Sequence, residues 1–147
     1  MRKNLVVLAA LTLGLLAGCS GGVKQEHSPE SVLSAFKKAG LPVEKQEVYT
    51  AETDSNKLLG RPNQYVAKAN WADRRLEQSG ESMKGGTVEI FKSEDDLRAR
   101  KEYVERIGKA MPMMAQYQYQ NGLVLIRLDK ALTPDQAAEY QKVLGEI

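Results

Sequence analysis

Cys19 is the residue of this sequence whose neighbours most clearly prepare it for chemistry. It is the only cysteine in the chain, so an intramolecular disulfide cannot form. Ala17 and Gly18 stand directly before it, and such small side chains let a peptidase fit closely around the backbone. Because a thiolate is a soft nucleophile, the chemistry expected at Cys19 is covalent attachment of a group to its sulfur.

The residues before Cys19 have the order of a secretion signal. Arg2 and Lys3 form a basic start, and the stretch from Leu5 to Ala17 is almost purely apolar. Its length fits the core of a signal peptide, about 7–15 residues, and is too short for a membrane-spanning helix of roughly 18 or more. Residues 1–18 are therefore predicted to be a signal peptide. The alternative is an ordinary signal peptide, or a buried helix, that happens to contain a cysteine.

The run Leu16-Ala17-Gly18-Cys19 resembles the lipobox of bacterial lipoproteins. The resemblance implies cleavage between Gly18 and Cys19 and a thioether-linked diacylglycerol on Cys19, usually with a further acyl chain such as palmitate on the new amino group. Two or more acyl chains give stable anchoring. We therefore expect a lipid anchor on the extracytoplasmic face of the cell membrane. Ser20 is compatible with onward transport to the outer membrane in cells with two membranes.

Removal of the signal peptide changes the charge of the chain. The full sequence has 21 Lys and Arg against 19 Asp and Glu, and the two basic residues lost are Arg2 and Lys3, which leaves the two signs equal. A neutral balance argues against nucleic acid as a partner, because nucleic-acid binders carry a basic face. The remaining chain is predicted to form a lipidated tether, residues 19–28, and a single globular domain, residues 29–147.

Other catalytic or metal-binding patterns are weak. His27 is the only histidine and lies in the tether, and Asp95-Asp96 are better explained as acids at a helix start. No histidine in the domain can serve as a base for a nucleophile. Gly85-Gly86 alone is a poor phosphate loop. We expect a non-enzymatic protein with no metal and no cofactor, although a distant pair of carboxylates would leave no local pattern.

The segment from Leu58 to Tyr65 contains the residue types best suited to binding. The candidate binding residues are Leu58, Leu59, Arg61, Asn63 and Tyr65. Two leucines beside a turn at Pro62 would form a small lip, and Arg61 would bind a carboxylate or phosphate with its planar fork. The alternative, more common in loops, is that the leucines plug the edge of a sheet and Arg61 is solvated.

Three amphipathic helices are predicted from capping residues followed by apolar residues at helical spacing. Their bounds are Ser28 to Gly40, Ser93 to Pro112, and Thr133 to the end of the chain. Their apolar faces consist of Val32, Ala35, Phe36 and Ala39; Leu97, Val104, Ile107 and Met111; and Ala137, Tyr140, Leu144 and Ile147. In the second helix Asp96 precedes Arg100 by four residues, so this pair is expected on the solvated side.

Strands are predicted where apolar and polar residues alternate. They cover residues 43–50, 65–71, 87–91, 115–120 and 123–128, and Gly85-Gly86 is assigned to a connection. Asn121-Gly122 predicts a two-residue hairpin turn, which places Tyr119 opposite Val124. Leu125 then lies on the polar face, so that face is either covered or contacts a partner. The pattern predicts a two-layer α+β sandwich, with an antiparallel sheet of four to five strands and three helices on one face.

Much of the domain resembles a group of small uncharacterised bacterial lipoproteins. The similar stretches are Asn56 to Tyr65, Lys101 to Val104, Tyr117 to Tyr119, and Leu125 to Leu128. The resemblance implies an anchored extracytoplasmic domain without an established activity. It supplies no functional residue beyond Cys19.

Two functions are compatible with these features. The first is a non-enzymatic, membrane-anchored module of the cell envelope that binds a small ligand or an envelope protein. The second is an inhibitor or immunity-type lipoprotein that acts on a surface protein through its sheet face. An envelope hydrolase would require carboxylates converging in a deep cleft.

Overall fold

A five-stranded antiparallel sheet, in the order β1-β2-β3-β5-β4, lies at the centre of the computed structural model. The structure describes residues 27–80 and 83–147, so the predicted signal peptide, Cys19 and most of the tether lie outside the described residues. The strands are β1 (Val43–Val48), β2 (Ala67–Asp73), β3 (Gly85–Ile90), β4 (Gln116–Asn121) and β5 (Val124–Asp129). With three helices, this sheet confirms the predicted α+β class.

The helices begin where the capping residues predict. They are α1 (Pro29–Lys38), α2 (Glu94–Ala110) and α3 (Pro134–Gly145), and a short 3₁₀ turn (Pro112–Met114) follows α2. Ser28 and Thr133 both form capping boxes, and the Ser93 side chain accepts a hydrogen bond from Asp96 N. Within the ranges that the structure describes, no helix has the length and apolar character needed to cross a membrane.

The main core lies between the sheet and the helices α1 and α3. Its centre is aromatic: the ring of Phe36 packs edge-on against Tyr140 at 5.1 Å, and Trp71 lies 5.6 Å from Phe36 and 5.5 Å from Tyr140. The Trp71 indole N–H donates to the Tyr140 hydroxyl, which in turn donates to Asp73. The polar atoms of these large side chains are therefore satisfied inside an otherwise apolar core.

Gly85 and Gly86 belong to β3, so their assignment to a connection was wrong. A side chain at Gly86 would collide with the indole ring of Trp71, and one at Gly85 would collide with the backbone around Ala72 and Asp73. In a sequence, two adjacent glycines favour the prediction of a loop, because the sequence does not show which side chain packs against them. Here they are strand residues that make room for a neighbouring tryptophan.

The helix α2 packs on the opposite face of the sheet from α1 and α3, which differs from the prediction that the helices share one face. A second apolar cluster lies there; its members are Tyr65, Phe91, Leu97 and Leu125, with Leu58 and Leu59 packed against them. Leu125 is therefore covered by α2 and by the loop before β2. Of the two alternatives for the face that contains Leu125, coverage by the protein itself is the one observed.

The β4–β5 hairpin has a different register from the predicted one. Tyr119 lies opposite Ile126, and the loop residues are Gly122 and Leu123. Asn121 remains in the strand because its side-chain amide donates to the carbonyls of Leu144 and Ile147. Gly122 then takes the first loop position, with φ 52°. The pairing shifts by two residues, so every side chain keeps its predicted face.

Candidate functional site

The sheet face beneath α2 carries a row of polar side chains on neighbouring strands. Asn70, Thr87 and Arg127 lie at paired positions of β2, β3 and β5, and Lys68 lies opposite Glu89. These residues alternate with core residues, so the two-residue period of a strand directs all of them to this face. The Thr87 hydroxyl donates to the Asn70 side chain at 2.9 Å.

Glu89 is the centre of one buried ion cluster. Arg100 donates to both of its carboxylate oxygens, at 3.1 and 2.9 Å, and Arg127 donates to Oε1 at 2.8 Å. Burial alone would raise the pKa of Glu89, but the charges and hydrogen bonds of Arg127 and Arg100 outweigh it and hold the pKa below its usual value. Glu89 is therefore ionised at neutral pH.

Asp54 is the centre of the second cluster and fixes the loop before β2. Lys68 Nζ lies 2.8 Å from Oδ1, and Oδ2 accepts from the Tyr65 hydroxyl and from the backbone N–H groups of Leu58 and Leu59. Burial opposes ionisation, but these bonds hold the pKa of Asp54 well below its usual value. The pKa of Tyr65 is raised by burial and by its bond to Asp54.

The two clusters do not balance in charge. Among the described residues, the buried cations on this face are Lys68, Arg100 and Arg127, and the buried carboxylates are Asp54 and Glu89. The third buried carboxylate, Asp73, belongs to a separate network with Arg75 and Tyr140. The face under α2 thus buries one more cation than carboxylate.

Arg127 has an unused donor. Its Nη1 binds Gln116 and its Nη2 binds Glu89, but its buried Nε finds no acceptor among residues 27–80 and 83–147. Buried polar atoms nearly always have a partner, so this guanidinium is less completely satisfied than an ordinary buried arginine.

These side chains form the floor of a cavity of about 700 Å³ between the sheet and α2, which we call the α2 groove. The polar floor consists of Lys68, Asn70, Thr87, Arg100, Gln116 and Arg127. The apolar wall consists of Leu58, Tyr103, Val104, Ile107, Met111 and Met114. A smaller cavity of about 300 Å³ adjoins it at Leu58, Arg100 and Tyr103.

The predicted binding loop is brought to the groove only in part. Leu58 lines the α2 groove and also packs on the second apolar cluster with Leu59. Tyr65 is fully buried beneath the loop. Asn63 is exposed and lines the smaller cavity, while Arg61 is exposed and lines neither cavity.

Sequence reasoning missed the four charged residues of the floor and its surroundings: Lys68, Glu89, Arg100 and Arg127. The expectation that Arg100 pairs with Asp96 in solvent was wrong, because Arg100 is buried and binds Glu89. The available signal was the polar alternation of the central strands. Such alternation is also found in strands with one solvent-exposed face, so it indicates a buried polar site only when a helix is known to cover that face.

The two buried carboxylates beneath α2 are both held in their ionised form. Neighbouring cations lower the pKa values of Asp54 and Glu89, so each carboxylate is a weak base. In the part of the chain that the structure describes, no three His, Asp or Glu side chains converge as metal ligands. Comparison of the chain with protein-family models, curated proteins and solved structures finds no significant match.

Proposed function

We propose that this chain is a lipoprotein of the cell envelope whose domain binds a small ligand in the α2 groove without transforming it. The observation that carries the binding role is the excess of buried cations over carboxylates around a cavity of about 700 Å³. That volume lies within the range of small-molecule sites, about 300–1,000 Å³, and such sites combine apolar walls with a few polar groups.

The cost of burying charge supports this role. Taking ions out of water costs several kcal/mol each, and a buried ion pair often stabilises a fold no better than apolar residues of the same size. A fold built only for stability would have little use for three cations beneath α2. A negatively charged ligand would bind to these three cations and balance the excess of positive charge.

The anchor is supported by the lipobox-like sequence before Cys19. In cells, Cys19→Ser is expected to move the protein out of the membrane fraction or leave it uncleaved, because the sulfur that carries the lipid is gone. Fractionation followed by mass measurement of the chain detects both results. Unchanged processing and anchoring would contradict this part of the proposal.

A matched pair of variants tests the binding role. Ile107 is half-buried and lines the groove, whereas Met113 is 94% exposed and does not line it. Ile107→Trp would fill the groove, and Met113→Trp adds the same ring in solvent. After purification and denaturation of each full chain, mass spectrometry should find a small molecule released by the wild type and Met113→Trp, and lost in Ile107→Trp. Equal release, or no release, from all three would contradict the proposal.

The alternative of an inhibitor acting through the sheet face has less support. Leu125 is fully buried, and Gln118 donates to the backbone carbonyl of Lys101 on α2. The surface that this interpretation needs is therefore occupied by the protein itself.

A further inference from the structure

We infer that the ligand of the α2 groove is an amphipathic oxyanion, with a carboxylate or phosphate head group on the cationic floor and an aliphatic tail along the wall. This inference rests on the proposed binding function and specifies the chemistry of the ligand.

The floor offers donors suited to an oxyanion. The Nε of Arg127 is buried without an acceptor in the described ranges, and Arg127 itself is 9% exposed. Lys68 uses one of its three donors on Asp54 and also lines the groove. A carboxylate or phosphate has several lone pairs and the charge that this face lacks.

The wall offers a surface suited to an aliphatic chain. Val104 and Ile107 lie one turn apart on α2 and Met111 follows at its C-cap, so they form one stripe above the floor, and Met114 in the 3₁₀ turn extends it. Met111 is 43% exposed and Met114 is 51% exposed. Methionine side chains are flexible and polarisable, so they adapt to the shape of an apolar ligand.

The two surfaces together restrict the ligand. A small hydrophilic anion would meet the floor but leave the apolar wall in water. A neutral apolar molecule would cover the wall but leave the extra buried cation uncompensated. Only a ligand with both parts satisfies the whole groove.

The test uses four probes on the full chain, purified in a neutral maltoside detergent, with binding read by native mass spectrometry. Decanoate and decyl phosphate carry both parts, decan-1-ol carries only the tail, and inorganic phosphate carries only the charge. We expect at least one of the two decyl anions to bind at least tenfold more tightly than decan-1-ol and inorganic phosphate. Preference between the two decyl anions would identify the head group.

Variants of each surface make the test specific. Arg127→Met should weaken binding of the preferred anion at least tenfold. Because Arg127 also binds Glu89, a variant of the exposed rim, Met111→Gln with Met114→Gln, keeps the test valid if Arg127→Met fails to fold. It should weaken binding severalfold, whereas Met113→Gln, between the same two residues, should leave binding unchanged.

Three results would overturn the inference: binding of inorganic phosphate as tight as that of the decyl anions, equal binding of decan-1-ol, or no binding of either decyl anion. None of these by itself removes the proposed binding role, which fails if the wild type, Met113→Trp and Ile107→Trp release equal amounts of a small molecule or none at all.

Discussion

The two faces of the sheet are built on opposite principles. The face toward α1 and α3 is closed and apolar, with Trp71, Phe36 and Tyr140 at its centre. On the face toward α2, the charged side chains of Glu89 and Arg127 are buried, and a cavity of about 700 Å³ lies between the sheet and the helix. The face toward α1 and α3 resembles an ordinary protein core. The face toward α2 is the one on which we propose that a small ligand binds.

The difference separates the source of stability from the proposed source of function. Apolar burial stabilises a fold in proportion to the area removed from water. Buried ions contribute little net stability, although loss of one partner is costly. The two faces should therefore respond differently to substitution, in size and in pH dependence.

The largest effect is expected at the centre of the apolar face. Trp71→Ala removes a fully buried indole and its contacts with Phe36 and Tyr140, so the free energy of unfolding should fall by about 3–5 kcal/mol. Urea unfolding followed by circular dichroism measures this loss. A loss below about 1 kcal/mol would mean that this face is not the main core.

The next effect is expected when one ion of the α2 face is neutralised. Glu89→Gln leaves Arg100 and Arg127 buried without their shared carboxylate, which should cost about 3 kcal/mol. Glu105→Gln is the matched control, because Glu105 is exposed and, among the described residues, forms an ion pair with Lys109 alone. The control should keep the wild-type midpoint in urea. Equal midpoints for both variants would contradict the buried cluster.

A smaller effect is expected from acid. The pKa of Glu89 is lowered in the fold, so its contribution to stability is complete above its unfolded value, 4.5, and is lost as pH falls below it. The free energy of unfolding should therefore decline below about pH 4.5. In Glu89→Gln the decline should be shallower, with Asp54 and Asp73 still contributing. An identical pH slope in the variant would contradict the ionised state of Glu89.

The smallest effects are expected in the loop before β2. Leu58→Ala should cost about 1–2 kcal/mol, because Leu58 is half-buried, and Arg61→Ala should change stability by less than about 0.5 kcal/mol. The double variant, Leu58→Ala with Arg61→Ala, should fold. Any loss of bound ligand in it should equal the loss in Leu58→Ala, because Arg61 does not line the groove. If Arg61→Ala by itself abolished release of the bound molecule, the loop rather than the α2 groove would be the site.

The fold was largely predictable from local signals. Capping residues such as Ser28 and Thr133 located the helix starts, and alternation located the strands. The exceptions depended on distant neighbours. Gly86 is a strand residue because Trp71 packs over it, and Asn121 stays in β4 because it binds the end of α3 and the chain terminus.

The groove was not predictable in the same way. Lys68, Glu89 and Arg127 lie on three different strands, and Arg100 comes from α2. No local motif joins them, and their burial follows only from the packing of α2 on this face. By contrast, Cys19 was assigned from adjacent residues alone, and its lipidation stays a prediction.

We propose that the ions of the α2 face serve a ligand rather than the stability of the fold. The most direct measurement is the free energy of unfolding of a triple variant, Glu89→Leu with Arg100→Met and Arg127→Met, in urea. We expect stability equal to the wild type or higher by about 1–4 kcal/mol, because apolar residues replace the whole cluster. A loss of about 3 kcal/mol or more would show that the ions hold the fold together and would contradict the claim.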